Sequence, residues 1–323
     1  MVGMAGKKQT PLHLVFLRVL AVFVLLDAVL VIGYYPYSTD SLKEDPAETR
    51  AQIENFYGTV YAKPESGKQN SAYVDLALEN VGKGVKLALA DYVKQYQLQD
   101  KKVLEVGAGS GQLQDLVADY TALDIAPEAK RYFHKPFVAA SATGMPFPDG
   151  QFDTVWTFFT LEHIPHPEMA LREMRRVLRP DGLLILAPAW NCSEFAARGY
   201  RVRPFGDFDT TGKVVKLWSH LASTSYVETM FRFPHRLIRA AQTKISGRET
   251  PLHFRKLKAN FGTYWEPDAD AFVSLDMYEA YLWFKSRGDE CLNCESILTD
   301  PDHPLIIRVK KPAGASANRA SRF

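Results

Sequence analysis

The sequence predicts an α/β fold, a doubly wound parallel sheet with helices on both faces. Three observations predict it. Val103-Leu104-Glu105-Val106 is a short apolar run that opens into Gly107-Ala108-Gly109-Ser110-Gly111, the pattern of a buried strand feeding a glycine-rich turn. Thr121-Ala122-Leu123-Asp124 is a second short strand ending in an acid, roughly 20 residues after the first, the spacing at which such folds place a carboxylate for ribose hydroxyls. From there to Ala187 strand-like and helix-like segments alternate, which implies crossovers and a parallel sheet.

The elements follow in chain order. Leu12–Tyr35 is apolar apart from His13, Arg18, Asp27 and Gly33, and a run of roughly 20 apolar residues is long enough to cross a bilayer as a helix. Lys7, Lys8 and Arg18 precede or enter it, and Tyr34, Tyr35 and Tyr37 suit a membrane interface. Residues 1–36 therefore read as an uncleaved membrane anchor. The competing reading is a helix packed on the domain, which Asp27 supports because a carboxylate is costly at bilayer depth. Residues 37–69 read as a linker, polar and with helical character towards residue 60. Tyr73, Leu76, Ala77, Val81, Val85, Leu89 and Tyr92 recur at helical spacing, so a helix is expected over 71–97. The first strand and glycine turn come next, then a helix over 112–120 whose unpaired N–H groups would face a bound anion. Phe137–Ala140, Asp153–Thr160 and Leu183–Ala187 are further strands, and Pro167–Leu178 is a helix stopped by Arg179-Pro180-Asp181-Gly182.

Residues 191–265 break the alternation. They show no clear strand, and they are rich in Arg, Lys and aromatic residues although the chain as a whole carries a formal net charge of only +2. This stretch reads as a mainly helical insertion. It is either a cap with solvated arginines, a lid over the substrate, or a membrane-proximal surface. Nucleic acid is not an expected partner. A helix over 277–286 and a strand over 305–310 follow, and residues 312–323 read as a disordered tail. The three cysteines cannot build a disulfide framework. Cys291 and Cys294 have metal or redox spacing without a second pair, and read as two reduced thiols. No metal site is expected.

The glycine turn is one part of a longer resemblance. Leu104-Glu105-Val106-Gly107-Ala108-Gly109-Ser110-Gly111, Leu123-Asp124-Ile125, Met145-Pro146-Phe147-Pro148-Asp149, Phe152-Asp153-Thr154-Val155, Leu161-Glu162-His163-Ile164 and Arg176-Val177-Leu178-Arg179-Pro180-Asp181-Gly182 occur in this order. Over residues 100–190 the chain resembles class I S-adenosylmethionine-dependent methyltransferases. The resemblance implies a Rossmann-like sheet of seven strands over 70–311, closed by an antiparallel hairpin, with S-adenosylmethionine as cofactor. It implies that Glu105, Gly107, Ala108, Gly109 and Gly111 surround the methionine end, that Asp124 takes the ribose diol, and that Ile125, Ser141, Ala142 and Leu161 lie about the adenine and the pocket floor. Ser141 stands where many members carry an acid. His163 is a candidate general base, with a structural histidine as the competing reading.

The resemblance says nothing of the methyl acceptor. The anchor and the insertion point to a small-molecule, lipid-linked or glycan-precursor acceptor. Positive charge before the anchor would send the domain outward, whereas an intracellular cofactor keeps it in the cytoplasm, the placement adopted here. Two alternatives stay open: a membrane-tethered scaffold with a degenerate pocket, and an NAD-dependent oxidoreductase, which would want a Gly-x-Gly-x-x-Gly turn.

Overall fold

The computed structural model describes residues 11–34, 37–43, 47–62, 84–222, 225–261, 268–298 and 302–311, with the backbone alone over 26–34, 221–222 and 225–231. The central sheet has seven strands in the order β4-β3-β2-β5-β6-β10-β9. These are β2 (Val103–Val106), β3 (Tyr120–Asp124), β4 (Phe137–Ala139), β5 (Phe152–Phe158), β6 (Leu178–Ala187), β9 (Glu290–Cys291) and β10 (Leu305–Arg308). β4 to β6 run parallel, while β10 is antiparallel to both β6 and β9. The strand order turns back on either side of β2, so β2 and β5 open a crevice at their carboxyl ends, where such sheets bind ligands.

Pleating divides β2 between two cores. Leu104 and Val106 pack with β5, β6 and the helices beyond them, including fully buried Trp283. Val103 faces the other side with Tyr120, Ala122 and Trp156. The helix Pro167–Val177 carries Ala170, Leu171, Met174 and Val177 on one buried stripe, at the spacing a helix face requires. After it, Arg179–Gly182 bulge from β6, with the pairing jumping from Phe152–Leu178 to Thr154–Leu183. The expected turn is therefore present as a bulge inside the strand.

Several expectations are corrected. The helix expected over 112–120 is a single 3₁₀ turn, Gln114–Leu116. Gln114 is buried, and its side chain bonds Gly111 O, Tyr132 O and the backbone N–H of His134. These sideways bonds tie the segment to the next crossover, itself a 3₁₀ turn over Pro127–Tyr132, so two crossovers of the sheet lack α-helices. The helix expected over 71–97 is described only from its later part, Lys86–Gln95. Its earlier part and the tail 312–323 lie outside the described residues.

The stretch read as a linker carries structure. β1 (Tyr37–Thr39) pairs antiparallel with β7 (His253–Lys256), which pairs with β8 (Val273–Ser274). This second, three-stranded sheet places a strand inside the 191–265 insertion, where none was expected. α2 (Ala47–Val60) follows, and Ile53, Tyr57 and Val60 form its buried stripe against Ala126 and Ala129. The rest of the insertion is mainly helical, as expected, with Thr210–Ala222 and Ser225–Ser246.

Arg236 and Arg239 of the insertion are not solvated, whereas Arg198, Arg201 and Arg248 are exposed. Arg236 Nε lies 3.0 Å from both carboxylate oxygens of Asp276, and Arg239 Nε lies 2.6 Å from Glu279 Oε1. His235 Nε2 is 3.0 Å from the same Glu279 oxygen, and its ring stacks on Tyr37 at 3.6 Å. All of Arg236, Arg239, Asp276 and Glu279 are buried. Charge that looks like a surface patch in the sequence is used to lock the insertion to the helix Met277–Lys285.

Cys291 and Cys294, expected as reduced thiols, form a disulfide, while Cys192 is free and buried. The amino-terminal helix α1 runs Leu12–Tyr34 and lies against Ser225–Ser246. Among the described residues no helix is long and apolar enough to cross a membrane, and the described side chains of α1 end at Leu25.

Candidate functional site

A cleft of about 880 Å³, partly open to solvent, lies over the carboxyl ends of β2, β3 and β5. Gly107 of the glycine turn lines it. Gly107, Gly109 and Gly111 have φ of +72°, +50° and +70°, a region that side chains disfavour. Space is short as well. A Cβ on Gly107 would stand 2.2 Å from Thr160 Oγ1, and one on Gly109 would stand 2.9 Å from the Tyr61 hydroxyl.

Asp124, at the end of β3, is buried in the same wall. Its Oδ2 accepts from Gly109 N at 2.9 Å and its Oδ1 from Ala126 N at 3.0 Å. Burial raises its pKa, and the backbone N–H groups of Ala126 and Gly109 pull the other way. The carboxylate fixes the glycine turn to β3, and each oxygen retains a lone pair for a further donor.

Gly107, Asp124, Ile125, Ser141, Ala142 and His163 all line the cleft. Five expected residues, Glu105, Ala108, Gly109, Gly111 and Leu161, do not. Glu105 follows the pleat to the opposite face with Val103, where it accepts a short hydrogen bond from the Tyr120 hydroxyl. Burial pushes its pKa up to about 8. Leu161 is a core residue with no exposed surface, Ala108 packs with Val103 and Leu113, and Gly111 closes against Gln114 and Phe133. Gly109 meets the cleft through Tyr61. Ser141 is present in the wall, but its hydroxyl is engaged within its own loop, 2.8 Å from Thr143 Oγ1.

Sequence reasoning missed the wall that α2 builds. Arg50, Ile53, Tyr57 and Tyr61 line the cleft opposite the sheet. The spacing of Ile53, Phe56, Tyr57 and Val60 was the signal, an apolar helix stripe inside a polar stretch. Burial, followed by the charges of Asp124 and Asp270, raises the Tyr61 pKa well above the usual phenol value. Phe159 was missed as well. It lines the cleft at φ +49°, a conformation that a bulky residue adopts at a cost and that recurs at functional sites.

His163 sits in the turn Leu161–His163 after β5, 12 % exposed. Its Nδ1 is 3.3 Å from Asp270 Oδ2, and its Nε2 is 3.7 Å from Glu162 Oε1. Burial works to lower its pKa, but Asp270, Glu162 and Asp268 outweigh it, and the net direction is upward. Burial raises the Glu162 carboxyl to about 7. His166, on the same cleft wall, is paired with Asp40 at 2.7 Å. No group of His, Cys, Asp and Glu with metal-binding geometry occurs among the described residues.

A methyltransferase-domain family model matches residues 104–186. The ubiquinone/menaquinone biosynthesis C-methyltransferase UbiE of Hahella chejuensis is 40 % identical over 80 residues, which are 24 % of this chain and 32 % of that protein. The UbiE of Pseudomonas putida is 39 % identical over 80 residues, 24 % of this chain and 31 % of that one. The chain thus spans about a third of the length of the curated relatives it matches. Among solved structures, the YcgJ protein of Bacillus subtilis aligns over 60 % of this chain and 65 % of its own, at 14 % identity and a TM-score of 0.35, too distant a likeness to bear on function.

The cofactor of the matched family is S-adenosylmethionine, and the residues present fit it. A bare-backbone turn can take its amino-acid end, and a buried carboxylate on the next strand can take its ribose diol. The chain carries the domain of a class I S-adenosylmethionine-dependent methyltransferase.

Proposed function

We propose that this protein transfers a methyl group from S-adenosylmethionine to a small-molecule or lipid-linked acceptor. One observation carries the reading: a single cleft joins the Gly107 turn and Asp124 to a second group of side chains, Tyr57, His163, His166 and Met169. The first set would hold the cofactor and the second would hold the acceptor. When bound, the cofactor supplies an electrophilic methyl group. The chain itself binds, aligns and excludes water, and alignment of two bound reactants is worth several kcal/mol of barrier.

Within this reading Asp124 holds the ribose, Ile125 and Ala142 flank the adenine, and Tyr61 covers the glycine turn. The names of the curated relatives add a hint of acceptor class. They methylate carbon in quinone biosynthesis, and an apolar, ring-shaped acceptor suits a wall of Ile53, Tyr57, Ile164 and Met169.

Calorimetric titration of S-adenosylmethionine into the full chain tests the reading. Saturable binding that Asp124→Ala abolishes or weakens at least roughly tenfold supports it, one charge-assisted contact being worth about 1.5–3 kcal/mol. A folded parent that binds nothing overturns it.

We propose further that α1 attaches the chain to a bilayer, with the catalytic domain on the cytoplasmic side. The successive residues Leu14, Val15, Phe16 and Leu17 are all exposed, and four positions go right round a helix. A protein groove covers one stripe, whereas lipid covers every side. Extraction of the full chain from cell membranes by alkaline carbonate would refute this; retention until detergent is added is the expected result.

A further inference from the structure

Three distant parts of the chain meet behind His163. Tyr57 comes from α2, His163 from the turn after β5, and Asp270 from the turn before β8. Asp270 is fully buried. The Tyr57 hydroxyl donates to its Oδ2 at 2.8 Å, and the same oxygen faces His163 Nδ1 at 3.3 Å. The Tyr57 ring also stands edge-on to the imidazole, with centroids 6.1 Å apart. A buried carboxylate needs donors or a cation; Tyr57 donates to Asp270 and His163 stands beside it.

Nδ1 makes no hydrogen bond at this distance, and Asp270 Oδ1 is likewise buried without one. Catalytic hydrogen bonds are often long in unliganded enzymes and tighten in the complex. Nδ1 is the ring nitrogen nearest Asp270, which leaves Nε2 as the second nitrogen, and 3.7 Å from Glu162 Oε1 is beyond hydrogen-bond reach. The Glu162 oxygen is itself bonded by Ala189 N at 3.0 Å. His166 differs in kind, because its carboxylate partner Asp40 is occupied as a helix cap.

We propose that His163 is the proton acceptor for the methyl acceptor, that Asp270 and Tyr57 are its positioning residues, and that the acceptor is therefore an acid of the phenol or enol class. This inference rests on the methyltransferase reading. A tertiary amine or a thioether has no proton to lose and needs no such group. In the proton step the acceptor's O–H bond breaks, its electron pair stays on the acceptor, and a new N–H bond forms on the imidazole. The acceptor becomes an anion and His163 a cation.

The surroundings suit that cation. Asp270, Asp268 and Glu162 face it with carboxylates and raise its proton affinity against the effect of burial. Tyr57 faces Asp270 as a donor. The nearby Cys192 thiol is pushed well up, first by burial and then by the same three acids, so it stays protonated. Arg201 acts on Asp268.

The test uses the full chain and two readouts that do not require turnover. The first is an NMR titration of the ¹⁵N-labelled histidine rings in the parent, Asp270→Asn and Tyr57→Phe, with His163→Asn assigning the signal. Loss of the Asp270 charge should lower the proton affinity of His163 roughly tenfold or more. The second adds 4-nitrophenol, whose anion is coloured, at a pH below the phenol's own pKa. The parent should hold the coloured anion, and Asp270→Asn and His163→Asn should not. Calorimetry with S-adenosylmethionine shows that each variant is folded and separates the two proposals. Unchanged cofactor binding with an unmoved His163 titration, or no anion on the parent, overturns the proton-acceptor role. Loss of cofactor binding in the parent overturns the methyltransferase reading instead, whatever His163 does.

Discussion

Asp40 Oδ1 stands 2.7 Å from His166 Nδ1, while its Oδ2 accepts from the backbone N–H groups of Glu168, at 3.0 Å, and Met169. A residue 128 positions upstream therefore caps the helix Pro167–Val177. Caps of this kind are worth about 1–2 kcal/mol. Asp40→Ala should lower stability to urea by that amount and weaken S-adenosylmethionine binding, since it loosens His166 and Met169, which line the cleft. Asp40→Asn should retain part of both. An unchanged urea midpoint would show that the cap contributes nothing.

Gly107 admits no side chain. A Cβ there meets Thr160 at 2.2 Å, and φ is +72°. Gly107→Ala should cost about 3 kcal/mol or more and abolish cofactor binding. Adding Thr160→Gly removes the clash and leaves the φ strain, so the double variant should recover stability in part. Thermal melts of the parent, single and double variants measure both terms.

Removing one partner from a buried ion pair costs about 3–5 kcal/mol. Arg236→Ala strands Asp276, which also accepts from Tyr278 N at the start of its helix. We expect a loss of that order, largely reversed by adding Asp276→Asn, which keeps the cap and removes the charge. A double-mutant cycle in urea reports the coupling. A loss below about 1 kcal/mol for Arg236→Ala would mean that the pair is solvated after all.

Glu105 gives the protein a pH dependence. Its proton is held in the fold up to about 8 against 4.5 for a free carboxyl. Raised carboxyls favour the folded state while protonated. The Glu105 share of stability is therefore full below 4.5 and is lost as pH rises through about 8. Each tenfold change in proton affinity corresponds to about 1.4 kcal/mol. Glu105→Gln should be more stable than the parent at pH 8 and should flatten the decline. Glu162, raised to about 7, adds a decline of the same sign. Urea denaturation across this pH range decides the matter, and parallel curves for parent and variant would contradict it.

The Cys291–Cys294 bridge closes a loop with a sequence separation of only 3. Short loops restrict the unfolded chain little. Reduction should therefore shift the melting temperature only slightly. Alkylation in denaturant should label Cys192 alone without reductant and all three cysteines with it. Labelling of all three without reductant would show the pair to be thiols.

The sheet was legible because its signals are local. Val103–Val106 and Thr121–Asp124 are apolar runs closed by acids and glycines, and the parallel strands stand within a residue or two of where they read, except β6, which begins at Leu178 instead of Leu183. Gly107, Asp124, Ile125, Ser141, Ala142 and His163 were legible for the same reason. Glu105 was misplaced because its side of β2 depends on pleat, which a four-residue strand in a fully apolar context does not reveal. The 3₁₀ turn at Gln114 was hidden because its cause, bonds to Tyr132 and His134, lies in another crossover. Asp40, Tyr57 and Asp270 make their contacts across 126 to 213 positions, a range at which a single sequence carries no pairing signal. The arginines of the insertion misled for a related reason: charge counts do not show which acids face them.

α2 and β1 bear on how the catalytic domain can be handled. The family-model match spans 104–186, yet Ile53, Tyr57 and Tyr61 wall the cleft and Tyr37–Thr39 edge the second sheet. A fragment cut to begin at the first strand of the central sheet would fold around an opened trough. It would lose the donor on Asp270, the cover on the glycine turn and the cap on the helix Pro167–Val177. Inactivity of such a fragment would be a property of the cut, and any soluble version for enzymology has to begin upstream of Tyr37.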